Sequence, residues 1–123
     1  ECPLFLTQAK IFRGCCALGP TVVPACCVEN PLAFPVKCGV HRNGKEIFKG
    51  NGNTAAMKRT LRELTEYLVA DNCLAAGAVL CTGTAVGIPN DLILRDGDEV
   101  FVGIDGIGTL HNVVVKNQPK RAL

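Results

Sequence analysis

The chain has 123 residues, of which 48% are hydrophobic and 20% charged, with a formal charge of +2. That balance excludes a disordered chain. A charge so small and so scattered argues against a nucleic-acid partner, and the short basic tail of Lys116, Lys120 and Arg121 reads as solvated.

One domain over residues 1–123 is expected, long enough to bury roughly two-thirds of its unfolded surface. No apolar run reaches membrane-spanning length and no signal peptide is visible. The chain begins at Glu1 and its only methionine is Met57. It is therefore expected to be a processed product or a piece of a longer gene product.

In chain order, residues 3–13 show no period and read as a loop running into a turn. Gly19-Pro20 then punctuates the chain. Residues 21–28 form a short apolar extended run broken by Pro24, which favours an edge or a strand end. Residues 34–42 alternate, with Phe34, Val36, Cys38 and Val40 on one face and Lys37 and His41 on the other. Asn43-Gly44 follows, the residue pair that a type I′ hairpin turn selects, and residues 45–50 are the returning strand.

Residues 54–70 carry Met57, Leu61, Leu64 and Leu68 at helical spacing, so one helix is predicted there, capped by Asn53 or Thr54. Arg59 with Glu63 and Arg62 with Glu66 form i,i+4 pairs on its wet side. Residues 78–87 read as an apolar strand running into a Gly-Thr loop. Asp96-Gly97 marks a turn, and a second hairpin is expected around Asp105-Gly106. About seven short strands and one main helix give an α+β class that is mainly β.

Eight cysteines invite a disulfide-stapled reading. Against it, the chain has ample Val, Leu and Ile for a core. The doublets Cys15-Cys16 and Cys26-Cys27 are also poor chelates for one tetrahedral zinc, because neighbouring side chains on an extended segment point apart. Free thiols packed as small hydrophobes in a reducing cytoplasm are expected.

Candidate chemistry is sparse. Thr82, Gly83, Thr84 and Ala85 close an apolar strand with a glycine between two hydroxyls, a backbone that a carboxylate or phosphate can approach closely. Taken alone, an ordinary strand-to-loop turn is the simpler reading. Lys10 lies in an apolar stretch and suits acid–base work if partly buried; by spacing alone an exposed loop lysine is the simpler reading. Residues 50–53, "GNGN", lack the pattern of a phosphate loop and read as a loop feeding the helix. His41 and His111 read as surface residues. The carboxylates are dispersed, so no metal ligand is assigned.

The run "CTGTAVG" followed by "LRDGDEVFVGIDGIGTLHNVVV" resembles the C-terminal signature of the fumarylacetoacetate hydrolase family. "GNTAAMKRTLRELTEYL" resembles that family's Gly-x-Thr-x-x-Met segment. "LTQAKIFRGCCALGPTVV" resembles its lysine loop before a Gly-Pro strand, in wording closest to the branch of 2-keto-3-deoxy-D-arabinonate dehydratases. The resemblance runs from Pro3 to about Lys116.

It implies a mixed β-roll, a homodimer, and a divalent cation, usually magnesium, that chelates the carboxylate and keto oxygen of a small 2-keto acid substrate. Lys10 matches the family's active-site lysine. Thr84 with Gly83, flanked by Thr82 and Ala85, matches the loop that grips the substrate carboxylate. In that branch Cys15-Cys16 belongs to a packed segment beside the active site; Cys26-Cys27 has no counterpart.

The family's metal-ligating Glu-x-Glu and Asp precede the lysine loop, so here they would fall upstream of Glu1. The chain then reads as the C-terminal portion of a catalytic domain that by itself binds no cation. The expected activity is that of a sugar-acid dehydratase seen in part. The alternatives are a non-catalytic relative that dimerises or binds a small carboxylate, and a carbon–carbon bond hydrolase of the same family.

Overall fold

A computed structural model describes residues 10–116. Its framework is a four-stranded antiparallel sheet of order β2-β1-β3-β4, made by β1 (Pro35–Arg42), β2 (Lys45–Asn53), β3 (Glu99–Ile104) and β4 (Gly108–Val113). One helix, α1 (Leu61–Val69), completes a mainly β architecture, as the sequence pattern predicts.

Both hairpins form where the turn residues place them. Asn43 and Gly44 take positive φ of 51° and 71°, the pair of conformations a type I′ turn demands. At the second hairpin Gly106 and Gly108 adopt φ of 85° and 140°. The β1–β2 register shifts between Val40 and His41, where Val40 faces Phe48 but His41 faces Glu46, leaving Ile47 as the extra residue of a bulge.

Several expectations change, and four strands stand among the described residues where about seven were expected. The helix starts at Leu61, not near residue 54. Thr60 accepts from the Glu63 backbone N–H at 3.1 Å, while the Glu63 carboxylate accepts the Thr60 N–H at 2.6 Å, and this reciprocal capping box fixes the start. Asn53 caps only a short 3-10 turn, Thr54–Ala56, by accepting the Ala55 N–H at 2.8 Å. The Arg62–Glu66 pair does form, at 2.7 Å.

Strand β2, second, runs past Lys49 through the Gly-Asn-Gly-Asn segment that reads as a loop in the sequence. Residues 78–87, expected as a strand running into a loop, follow no ladder, and Ala25–Cys27 is a 3-10 turn within the expected extended run.

Among the described residues, Val40 (3% exposed) and Val86 (4%) are the buried apolar side chains, and Asp98 (1%) is the buried charge. Arg42 meets Asp98 with both arms of its guanidinium: Nε donates to Oδ1 and Nη2 to Oδ2, each at 2.8 Å. The Arg95 N–H donates to Asp98 Oδ2 at 2.8 Å, and Arg42 Nη2 also reaches the Ile93 carbonyl at 2.9 Å. One carboxylate thus ties the end of β1, the turn before β3 and the loop ahead of it.

The Arg42 hydrogen bond, aided by the Arg95 N–H, holds Asp98 down to about 2 against the burial that would raise it. A folded-state value below the ordinary 3.8 means that the stabilisation is present above about pH 4 and is lost as pH falls toward 2. Urea denaturation midpoints measured from pH 7 to pH 2 should therefore fall in that acid window. Asp98→Asn should lower the midpoint at pH 7 and remove most of the acid-dependent drop. A wild-type drop that survives intact in the variant would contradict this.

Candidate functional site

Residues 85–86 sit over β2 because β2 lacks side chains where they land. A Cβ added at Gly52 would collide with the Ala85 carbonyl oxygen, and one at Gly50 would meet Val86 Cγ1 at 2.5 Å. These two glycines share one face of the strand, so the pair opens a bare backbone track on which the loop packs. Gly50 lies opposite Cys38 of β1, whose thiol is pushed up by burial.

Within the loop, Gly83 takes φ of 99°, a region that a side chain strains, with open space around it. The Thr84 hydroxyl accepts the Val86 N–H at 3.1 Å and lies 3.3 Å from the Val86 carbonyl, to which it donates. This side-chain turn leaves Thr82, Gly83 and Thr84 exposed. Their hydroxyls and backbone N–H groups are what a carboxylate needs.

Lys10 is exposed, on a loop stapled by the first cysteine doublet. The Cys15 thiol donates to the Lys10 carbonyl at 3.0 Å, and the Cys15 N–H donates to the Phe12 carbonyl at 3.1 Å. The Cys81 thiol is pushed up, chiefly by the thiol of Cys16. Cys81 immediately precedes Thr82. The seven described cysteines are all free thiols.

The opposite face of the sheet carries a different polar cluster. Phe101 is stacked on His111 (centroids 4.3 Å apart) and tilted against His41 (4.9 Å). His111 Nε2 lies 3.0 Å from Glu99, and Lys37 pairs with Asp105 at 2.9 Å. An open groove of 620 Å³ runs here past Lys37, His41, Lys49, Phe101 and Thr109, and a smaller one of 360 Å³ lies beside Cys27, Phe34 and Ile107. Neither is lined by Lys10 or by residues 82–85.

A hard divalent cation takes oxygen ligands, with carboxylates foremost. Among the described residues no group of three or more His, Cys, Asp or Glu could hold one, and neither Lys10 nor residues 82–85 contributes a carboxylate. The residues described here do not fit a cation site.

The family model for the C-terminal region of fumarylacetoacetate hydrolase matches residues 1–115. The chain is 40% identical over 118 residues to the 2-dehydro-3-deoxy-D-arabinonate dehydratase of Saccharolobus solfataricus, covering 96% of this chain and 40% of that protein. It is 39% identical over 114 residues to a probable 2-keto-3-deoxyxylonate dehydratase of Haloferax volcanii, covering 93% of this chain and 39% of that protein. A solved 2-keto-3-deoxy-D-arabinonate dehydratase, complexed with magnesium and 2,5-dioxopentanoate, superposes with a TM-score of 0.91 at 39% identity, covering 95% of this chain and 42% of that one. The chain thus spans about two fifths of the length of these relatives.

The glycine track gives a direct test. Gly52→Ala should lower stability by about 1–3 kcal/mol, the usual cost of forcing atoms into a packed contact, and should shift the amide resonances of residues 83–86. Gly39→Ala is the control, because its Cβ would meet only the Phe48 carbonyl at an ordinary 3.6 Å. Equal effects at both glycines would show that the loop does not rest on Gly52.

Proposed function

Because the chain belongs to the fumarylacetoacetate hydrolase C-terminal family, we propose that it is the C-terminal portion of a catalytic domain that dehydrates a 2-keto-3-deoxy sugar acid. The observation that carries this reading is the likeness to a dehydratase solved with magnesium and 2,5-dioxopentanoate. That molecule is what a 2-keto-3-deoxy pentonate becomes on losing one water. The C3 proton and the C4 hydroxyl leave, and the double bond so formed rearranges through a C5 enol to an aldehyde.

Two parts of that chemistry fall to this chain. The loop of residues 82–85 grips the substrate carboxylate with the N–H groups flanking Gly83 and with the Thr82 and Thr84 hydroxyls. The Thr84 proton, donated to the Val86 carbonyl over a long 3.3 Å, turns to the incoming anion at little cost. Lys10 works at the other end of the substrate. As an amine it takes the C3 proton, and as an ammonium it steadies the negative charge that develops on the keto oxygen.

The complete enzyme uses magnesium or another divalent cation, whose carboxylate ligands lie outside the described residues; no step of this chain's own part is routed through it. The reading extends to a homodimer, supported by exposed apolar side chains such as Ile11, Val22, Val79 and Ile93. It extends to the cytoplasm, supported by the free thiols. No described helix is long and apolar enough to cross a membrane.

The test uses the complete enzyme containing this chain, with 2-keto-3-deoxy pentonate and magnesium. Lys10→Met should lower kcat by about 10²–10⁴-fold, the range of a lost proton-transfer group, while pyruvate binding by calorimetry persists. Thr84→Val should act mainly on KM and weaken pyruvate binding. Undiminished turnover in Lys10→Met would remove the lysine from the reaction. Pyruvate binding with no turnover in the wild type would mark a non-catalytic carboxylate-binding relative.

A further inference from the structure

The apolar core of the described residues ends at the residue that follows the loop of residues 82–85. Its buried apolar side chains are Val40 and Val86, and Phe48 of β2 connects them. Phe48 is the register partner of Val40 across the β1–β2 ladder. It shares a face of β2 with Gly50. A Cβ placed on Gly50 would lie 2.5 Å from Val86 Cγ1 and 2.7 Å from Phe48 Cζ. The valine methyl and the tip of the phenyl ring therefore both close over the bare glycine.

That packing carries the loop, because little else holds the backbone around it. Among the described residues, residues 79–88 take part in no backbone–backbone hydrogen bond. The polar tie is the Thr84 hydroxyl, which accepts the Val86 N–H at 3.1 Å and donates to the Val86 carbonyl at 3.3 Å. Both bonds end on one residue. The place of the Thr84 oxygen is thus set by the Val86 backbone, and that backbone is anchored by a side chain only 4% exposed. With its oxygen held by the N–H, the hydroxyl need move only its proton to meet an anion.

We propose that Val86, packed with Phe48 over Gly50, is a positioning residue for the substrate carboxylate: its packing sets where the Thr84 hydroxyl meets the anion. The inference rests on the reading of residues 82–85 as the carboxylate-gripping loop. Val86 acts through Thr84 and needs no contact with substrate. Truncating it leaves the hydroxyl chemically intact but frees its anchor, and a displaced hydroxyl loses the bond it would give the carboxylate. Proton transfer takes place at the other end of the substrate, so the loss falls on KM rather than on kcat.

The test is a double-mutant cycle in the complete enzyme containing this chain, with magnesium present and pyruvate binding followed by calorimetry. Thr84→Val and Val86→Ala should each weaken pyruvate binding by about 10- to 100-fold, the worth of one hydrogen bond to a charged group. The double variant should bind no more weakly than Thr84→Val alone, to within about 2-fold. Val86→Ala should raise KM for 2-keto-3-deoxy pentonate by the same factor as it weakens pyruvate, with kcat at saturation nearly unchanged. Phe48→Leu removes the ring tip but keeps an apolar side chain; it should show the same coupling in milder form, and it carries the test if Val86→Ala does not fold. Asp98→Asn, which lowers stability at the far corner of the sheet, should bind pyruvate as the wild type does. Additive losses in the double variant, full pyruvate affinity in folded Val86→Ala, or an equal loss in Asp98→Asn would overturn the positioning role and leave the carboxylate grip standing. Full affinity in Thr84→Val would overturn the grip itself, and the positioning role with it.

Discussion

The contact between the glycine pair of β2 and residues 85–86 is the constraint from which the rest of the site follows. Without Cβ atoms at Gly50 and Gly52, the strand backbone itself becomes the seat for Ala85 and Val86. Val86 is thereby buried, Gly83 is lifted clear with its positive φ, and the two threonine hydroxyls that flank it stay exposed. An anion-binding loop needs a rigid support on one side and, on the other, N–H and O–H groups that can turn to the anion. Any side chain at position 52 would trade the support for an empty surface.

The Arg42–Asp98 pair holds the sheet that provides the seat. Few apolar side chains are buried among the described residues, so hydrophobic packing within them cannot alone fix how β1 meets β3. A bidentate ion pair at the strand ends does so directionally, and it also captures the Arg95 N–H and the Ile93 carbonyl. The Asp98 backbone continues the tie, since its carbonyl accepts from the Val114 N–H at 2.8 Å while the Gly97 N–H donates back to the Val114 carbonyl. Charge and backbone therefore fasten the same corner.

What the sequence made legible was local. Asn43-Gly44 and Asp105-Gly106 encode their turns in the residues themselves, and strict alternation over 34–42 sets which face of β1 is inward. The misplaced helix start is also local, because the apolar spacing continues back to Met57 while the Thr60–Glu63 box settles the boundary. That box is visible as Thr-x-x-Glu and was the signal to heed. By contrast, Gly-Asn-Gly-Asn imitates a loop because glycine and asparagine are poor strand formers. Only the distant residues 85–86 explain why the glycines are there. The partnership of Arg42 with Asp98 joins residues with no common period, so no single-segment pattern could reveal it. The candidate residues Lys10 and Thr82 to Thr84 were readable through motif resemblance rather than through spacing.

The two loops belong to one functional unit in this reading: a lysine at one end and an anion seat at the other, with the cation-holding carboxylates contributed outside the described residues. The most direct measurement is a crystal structure of the complete enzyme with magnesium and pyruvate bound. The carboxylate should lie on the Gly83 and Thr84 N–H groups, with Lys10 Nζ about 3 Å from the keto oxygen or the methyl carbon, the reach that proton transfer requires. Pyruvate held instead in the groove of Lys37, Lys49 and Phe101, or a Lys10 side chain facing away from a carboxylate seated on residues 82–85, would contradict it.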